Sequence, residues 1–117
     1  MHCPTTFATT RESIAGISVV DIANQFGTPV YVYDLNIILQ RIADLSAFDA
    51  IRYAQKALSN IAILDRMRKA GVVVDAVSAG EIKRALKAGF IPNSHPKGIV
   101  YTADVFDREA LDRKSVV

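Results

Sequence analysis

The chain has 117 residues, enough for one domain of ordinary size. Half are apolar and 22% are charged, which excludes a disordered or fibrous protein and permits a buried core. The net charge is +2, and the basic residues are scattered, without the basic stripe and interleaved aromatics that nucleic-acid binding requires.

Residues 1–17 read as a polar, irregular tail. Its single cysteine, Cys3, makes no internal disulfide. With His2 it offers two metal ligands where a zinc site needs four. There is no N-terminal apolar h-region and no run approaching about 18 apolar residues, so the expectation is a soluble, cytoplasmic chain. Ser18 can cap a short helix that runs to Phe26, with Asp21 in its first turn and Gly27 at its end. Thr28-Pro29 breaks the chain, and Val30-Tyr31-Val32-Tyr33 is β-branched and aromatic, hence a predicted strand.

Asp34 is placed to cap a second helix whose Leu35, Ile38, Leu39, Ile42 and Leu45 follow helical spacing. Residues 50–56 read as a strand ending at Lys56. Ser59 or Asn60 caps a helix carrying Ile61, Leu64 and Met67, and Gly71 stops it. The run from Val72 to Val77 lacks clean alternation, as expected for a strand covered on both faces. Ser78-Ala79-Gly80-Glu81 matches a capping box, and Ile82, Ala85 and Leu86 give the next helix its predicted buried face. After Gly89, a loop with Pro92 and Pro96 leads to a strand over 98–102, and Asp107 can cap a last helix through Leu111.

From Asp34 onward helices and strands alternate, which argues for an α/β fold with a parallel sheet. The strands begin near residues 50, 72 and 98, close to the repeat of an eight-fold β/α barrel. Such a barrel needs about 250 residues, so only its first three units fit, and a small open α/β sheet is the alternative.

A parallel sheet gathers the loops after its strands on one edge, where chemistry is done in such folds. Those loops hold Lys56, then Asp75 with Ser78, then Thr102 with Asp104. A lysine in an apolar wall loses its proton more easily and can form a Schiff base, whereas a solvated loop lysine does nothing. Asp75 can steady a charged amine or simply bond the backbone. Ser78 caps its helix, and a capped N-terminus can also present N–H groups to an anion. Glu81 reads as the other half of the box, Thr102 and Asp104 as turn residues, and His95 as solvated. For Tyr31, Tyr33 and Tyr53 packing is the default reading. Strand periodicity puts Arg52 on the face of Ala54 and Lys56, where it needs a partner that the sequence does not name. No glycine-rich phosphate loop of the GxGxxG or GxxxxGK[ST] type occurs.

Four segments in order resemble the diaminopimelate decarboxylases. Thr28-Pro29-Val30-Tyr31-Val32-Tyr33-Asp34 is similar to their TPxYVYD opening. The segment from Arg52 to Asn60 resembles RYAxKANSN, that from Asp75 to Glu81 resembles DxxSxGE, and that from Gly98 to Asp104 resembles the third strand and its loop. The resemblance implies the alanine-racemase-like fold of pyridoxal phosphate enzymes: a β/α barrel with a companion β domain. Residues 1–34 would hold the tail, short helix and strand of the β domain, and 35–117 the first three barrel units. It implies that Lys56 carries pyridoxal 5'-phosphate through its amine, with Asp75 and Ser78 as further cofactor-binding residues. The implied reaction turns meso-diaminopimelate into L-lysine and carbon dioxide, in a homodimer.

This chain departs from the pattern at Leu58, where the family usually has asparagine. The family's later cofactor-binding parts have no counterpart in these 117 residues, so the chain alone is expected to be an inactive fragment. The alternatives are another pyridoxal-phosphate-dependent decarboxylase of the same fold, acting on ornithine, arginine or a polyamine precursor, and a non-catalytic remnant.

Overall fold

The structure is a computed structural model that describes residues 10–102. The expected last helix at 107–111 and the loop residue Asp104 lie outside them. The chain divides into two compact units, residues 1–38 and 39–117.

The first unit opens with a hairpin that the sequence pattern does not predict. Strands β1 (Ser13–Ile14) and β2 (Ile17–Ser18) pair antiparallel, Ser13 against Ser18 and Ile14 against Ile17. The two-residue connection holds Ala15 at φ 51° and Gly16 at φ 79°, the left-handed pair that a tight hairpin turn demands. Helix α1 (Val19–Phe26) comes next, capped by Ser18, whose Oγ accepts from the Val20 N–H at 3.2 Å. Gly27, at φ 79°, ends the helix and donates its N–H to the Ala23 carbonyl. Residues 30–33 form no ladder with any described strand, which corrects the expectation of a strand there. Tyr31 is 89% exposed and Tyr33 49%, so packing does not explain these two tyrosines. β-Propensity makes a segment fit to pair, but without a partner there is no strand.

Helix α2 (Leu35–Asp44) is capped by Asp34, whose Oδ1 accepts the Asn36 N–H at 2.9 Å. None of its residues is fully buried, so the apolar stripe read from the sequence is only half covered among the described residues.

The second unit is a three-stranded parallel sheet in the order β3 (Arg52–Ala54), β4 (Val73–Ala76), β5 (Ile99–Tyr101). The register sets Ala54 beside Asp75 and Asp75 beside Val100. Registered neighbours share a face. One face carries Tyr53, Val74, Ala76, Ile99 and Tyr101, and these pack with Leu64 of α3 (Ile61–Lys69) and Ile82 and Ala85 of α4 (Ala79–Lys87) into one core. Both crossover helices therefore cover the same side. A singly wound sheet with sequence neighbours side by side is the wall of a barrel, whereas a doubly wound sheet would put helices on both faces. The opposite face carries Arg52, Ala54, Val73, Asp75 and Val100.

Local chemistry sets the helix ends. Asn60 caps α3, its Oδ1 accepting from Ala62 and Ile63. Ser78 caps α4 through the Glu81 N–H at 3.2 Å. The Glu81 carboxylate reaches back to the Val77 N–H at 2.8 Å, one residue before the partner that a standard capping box would give it. Leu86 is 36% exposed, which corrects its placement on the buried face. The buried face of α4 is Ala79, Glu81, Ile82 and Ala85, because Leu86 falls one residue past the stripe. The entry to β5 admits no side chain at Gly98: an added Cβ would collide with the Ile91 carbonyl oxygen.

Arg68, near the end of α3, donates from Nε to the Ala88 carbonyl at 2.9 Å and so joins the C-terminal ends of α3 and α4. Asp65 accepts from Lys69 at 2.6 Å and from Arg68 at 2.8 Å. The Lys69 hydrogen bond, and then that of Arg68, hold its carboxyl below the ordinary value of 3.8. A depressed folded-state value means that this contribution to stability is complete above about pH 4 and is lost as pH falls through the folded value. Asp65→Asn should therefore lower the melting temperature slightly at pH 7, and the two proteins should converge as the pH drops toward 3. A constant difference from pH 7 to pH 3 would refute this account.

Candidate functional site

The three parallel strands end at one edge, and the segments leaving that edge form the candidate site. After β3 the chain turns through a single 3-10 turn, Gln55–Ala57, with Lys56 at its centre. This corrects the expectation that Lys56 is the last residue of the strand. The ladder stops at Ala54, and the amine projects from the turn beyond it.

Several bonds hold that turn. The Leu58 N–H donates to the Gln55 carbonyl at 3.1 Å, and the Ser59 hydroxyl donates to the same oxygen at 3.3 Å. The Tyr53 hydroxyl donates to the Leu58 carbonyl at 3.1 Å. The backbone of Leu58 thus supplies what the turn needs, and its apolar side chain does not prevent the turn from forming. Gln55 is fully buried, and its Nε2 donates to the Glu81 carbonyl at 2.8 Å. Lys56 is exposed, and among the described residues its ammonium has no hydrogen-bonding or ion-pair partner.

Asp75, half-buried, lies within β4, one residue before its end, which corrects its placement in the loop after the strand; Ser78, exposed, follows at the start of α4. Asp75 Oδ1 accepts from the Thr102 hydroxyl at 2.7 Å, and the Thr102 N–H donates to the Ala76 carbonyl at 3.0 Å. Thr102, read as a turn residue, is thus a direct partner of Asp75. Ser78 Oγ is engaged with the Glu81 N–H. A serine cap is worth about 1 kcal/mol, so loss of activity in Ser78→Ala would by itself not separate a cofactor contact from a weakened helix. The positive end of the α4 dipole lies at the same edge as Lys56 and Asp75. The structure therefore gathers Lys56, Asp75, Ser78 and Thr102 on one edge, with Asp75 and Thr102 in contact.

Arg52 finds its partners at the other end of the sheet. Its Nη1 donates to the carbonyls of Val74 and Lys97, at 3.2 and 3.1 Å. It ties the start of β3 to β4 and to the segment that leads into β5. His95 is exposed, as expected. The residue that sequence reasoning missed is Gln55. The available signal was its parity: it lies two residues after Tyr53, on the face that the helices cover, where a polar side chain must find a partner.

An exposed amine with no competing partner among the described residues, at the sheet edge that also carries a helix N-terminus and the Asp75 carboxylate, suits a group with both an aldehyde and a phosphate. Residues 36–116 match the family model described as pyridoxal-dependent decarboxylase, pyridoxal binding domain. The diaminopimelate decarboxylase of Escherichia coli (strain K12) is 49% identical over 112 residues, which cover 96% of this chain and 27% of that protein. The diaminopimelate decarboxylase of Streptomyces coelicolor is 48% identical over 101 residues, covering 86% of this chain and 23% of that protein. A crystal structure of a diaminopimelate decarboxylase is 55% identical with a TM-score of 0.78, covering 82% of this chain and 23% of that one. A crystal structure of an Aquifex aeolicus protein is 34% identical with a TM-score of 0.74, covering 87% of this chain and 26% of that one. The chain spans about a quarter of the length of the curated relatives it matches. Its α/β architecture, with a parallel sheet, is that of the N-terminal part of their fold. Four fifths or more of this chain aligns with each of these relatives, and the chain belongs to the pyridoxal-dependent decarboxylase family.

Proposed function

We propose that this chain supplies the cofactor-bearing lysine of a decarboxylase that converts meso-diaminopimelate to L-lysine and carbon dioxide. The observation that carries the reading is the Lys56 amine, without a partner among the described residues, at the C-terminal edge of a singly wound parallel sheet. Pyridoxal 5'-phosphate, when bound, supplies an electron sink for the pair left behind by the departing carboxylate. Lys56 is the residue that would hold it covalently. Asp75 would lie beside the charged amine, and its bond from Thr102 fixes the orientation of the carboxylate. Ser78, at the N-terminus of α4, would face the phosphate. The choice of diaminopimelate rests on the relatives that bear that name, at 48 to 55% identity.

In the same reading residues 1–34 belong to a companion β domain, residues 35–117 begin the barrel, and the working assembly is a homodimer. The apolar side chains left exposed at Val30, Tyr31, Val32 and Tyr33 support the first of these, since an uncovered β-prone segment suits pairing with a further strand.

The test replaces the aligned segment of the Escherichia coli enzyme with this chain and measures carbon dioxide release from meso-diaminopimelate. Turnover should stay within about tenfold of the parent, a loss of no more than about 1.4 kcal/mol in transition-state stabilisation. A folded, cofactor-loaded chimera with no turnover on this substrate would overturn the assignment.

A further inference from the structure

We infer that Gln55 is a positioning residue that fixes the height of the Lys56 turn above the sheet edge by bolting it to the first turn of α4. The inference rests on the reading of Lys56 as the cofactor-bearing amine. Lys56 lies two residues beyond the last ladder pair of β3, in a three-residue turn whose N-cap, Ala54, makes no side-chain cap bond. Such turns have poor hydrogen-bond geometry and little rigidity of their own. The bonds of Leu58 and Ser59 close within the turn, and that of the Tyr53 hydroxyl ties the turn's exit back to its own strand, so none of the three reaches α4. The Gln55 Nε2 bond to the Glu81 carbonyl reaches 26 residues along the chain. Glu81 is itself bonded to the Ser78 hydroxyl and to the Val77 N–H. One amide thus joins the lysine turn to the cap of α4 and to the end of β4, which carries Asp75.

The other half of the amide shows that packing is not why it is there. Gln55 is 0% exposed, and its Oε1 has no hydrogen-bond partner among the described residues. A methionine would fill nearly the same space without burying an unpartnered acceptor, so for packing alone glutamine is the worse choice. What glutamine adds is the donor. Inside α4 the Glu81 carbonyl has a helical partner four residues on, so deleting the Gln55 amide leaves no orphan there. Gln55→Met should therefore free the lysine turn while sparing the fold.

The experiment uses the 117-residue chain with pyridoxal phosphate and borohydride. Peptide mapping gives the label on Lys56 relative to Lys69, Lys83 and Lys87, and melting is followed in parallel. In the unaltered chain Lys56 should take the label preferentially. In Gln55→Met that preference should fall roughly three- to tenfold, the range that one net hydrogen bond commands, with little change in melting temperature. Gln55→Asn, a methylene too short to reach Glu81, should behave alike. Retained preference in either folded variant overturns the inference and leaves the role of Lys56 intact. Absence of preference in the unaltered chain overturns the Lys56 reading, and this inference with it. Side-chain amide exchange adds an arm that needs no variant: Gln55 protons exchanging as fast as those of the exposed Gln25 and Gln40 would show that no bolt exists.

Discussion

Lys56→Ala is expected to abolish covalent trapping of pyridoxal phosphate at the sheet edge, leaving only the slow, indiscriminate labelling of surface amines. The reason is positional. Lys56 is the one lysine in the turn after β3, while Lys69, Lys83 and Lys87 belong to the helices that cover the other face. Lys69 is further occupied by its ion pair with Asp65. A trapped cofactor mapped to any of those three, in the full chain or in the chimera, would sink the assignment of Lys56. An alanine variant that still trapped one equivalent would do the same. The effect is close to all-or-none because a covalent link needs its nucleophile, whereas Asp75, Ser78 and Thr102 can only modulate its charge and surroundings.

Leu64→Ala should cost about 2–5 kcal/mol of stability in urea unfolding, against a total of about 5–15 kcal/mol for a typical domain. Leu64 is fully buried from α3 among Val74, Ala76, Ile82, Ala85 and Ile99, where the sheet and both crossover helices meet. Helices and short strands around it cannot collapse far enough to refill the space. Leu86→Ala, one turn from the same core but 36% exposed, should cost well under half as much. Equal costs at the two positions would mean that α4 presents a different face to the sheet. Loss of Leu64 should also loosen the edge that carries Lys56, because α3, α4 and β4 all anchor through it.

The features legible in the chain alone were local ones. The caps at Ser18, Asp34, Asn60 and Ser78 were readable because each side chain bonds a backbone N–H two or three residues away. The alternation of helices and strands from Asp34 on was readable because each element carries its own hydrophobic period, and the motif around Lys56 pointed to the family that the comparisons show. The features that emerged only on folding involve partners distant in the chain. Residues 30–33 have strand propensity and no ladder, since a ladder is a property of two segments. Leu86 lost its place on the buried face because the sheet, and not the helix, sets the width of the buried stripe. Arg52 is satisfied by carbonyls 22 and 45 residues away, Asp75 by a hydroxyl 27 away, and Gln55 by a carbonyl 26 away. A buried polar group must be paired wherever the fold happens to bring a partner, and that partner is chosen by packing in three dimensions.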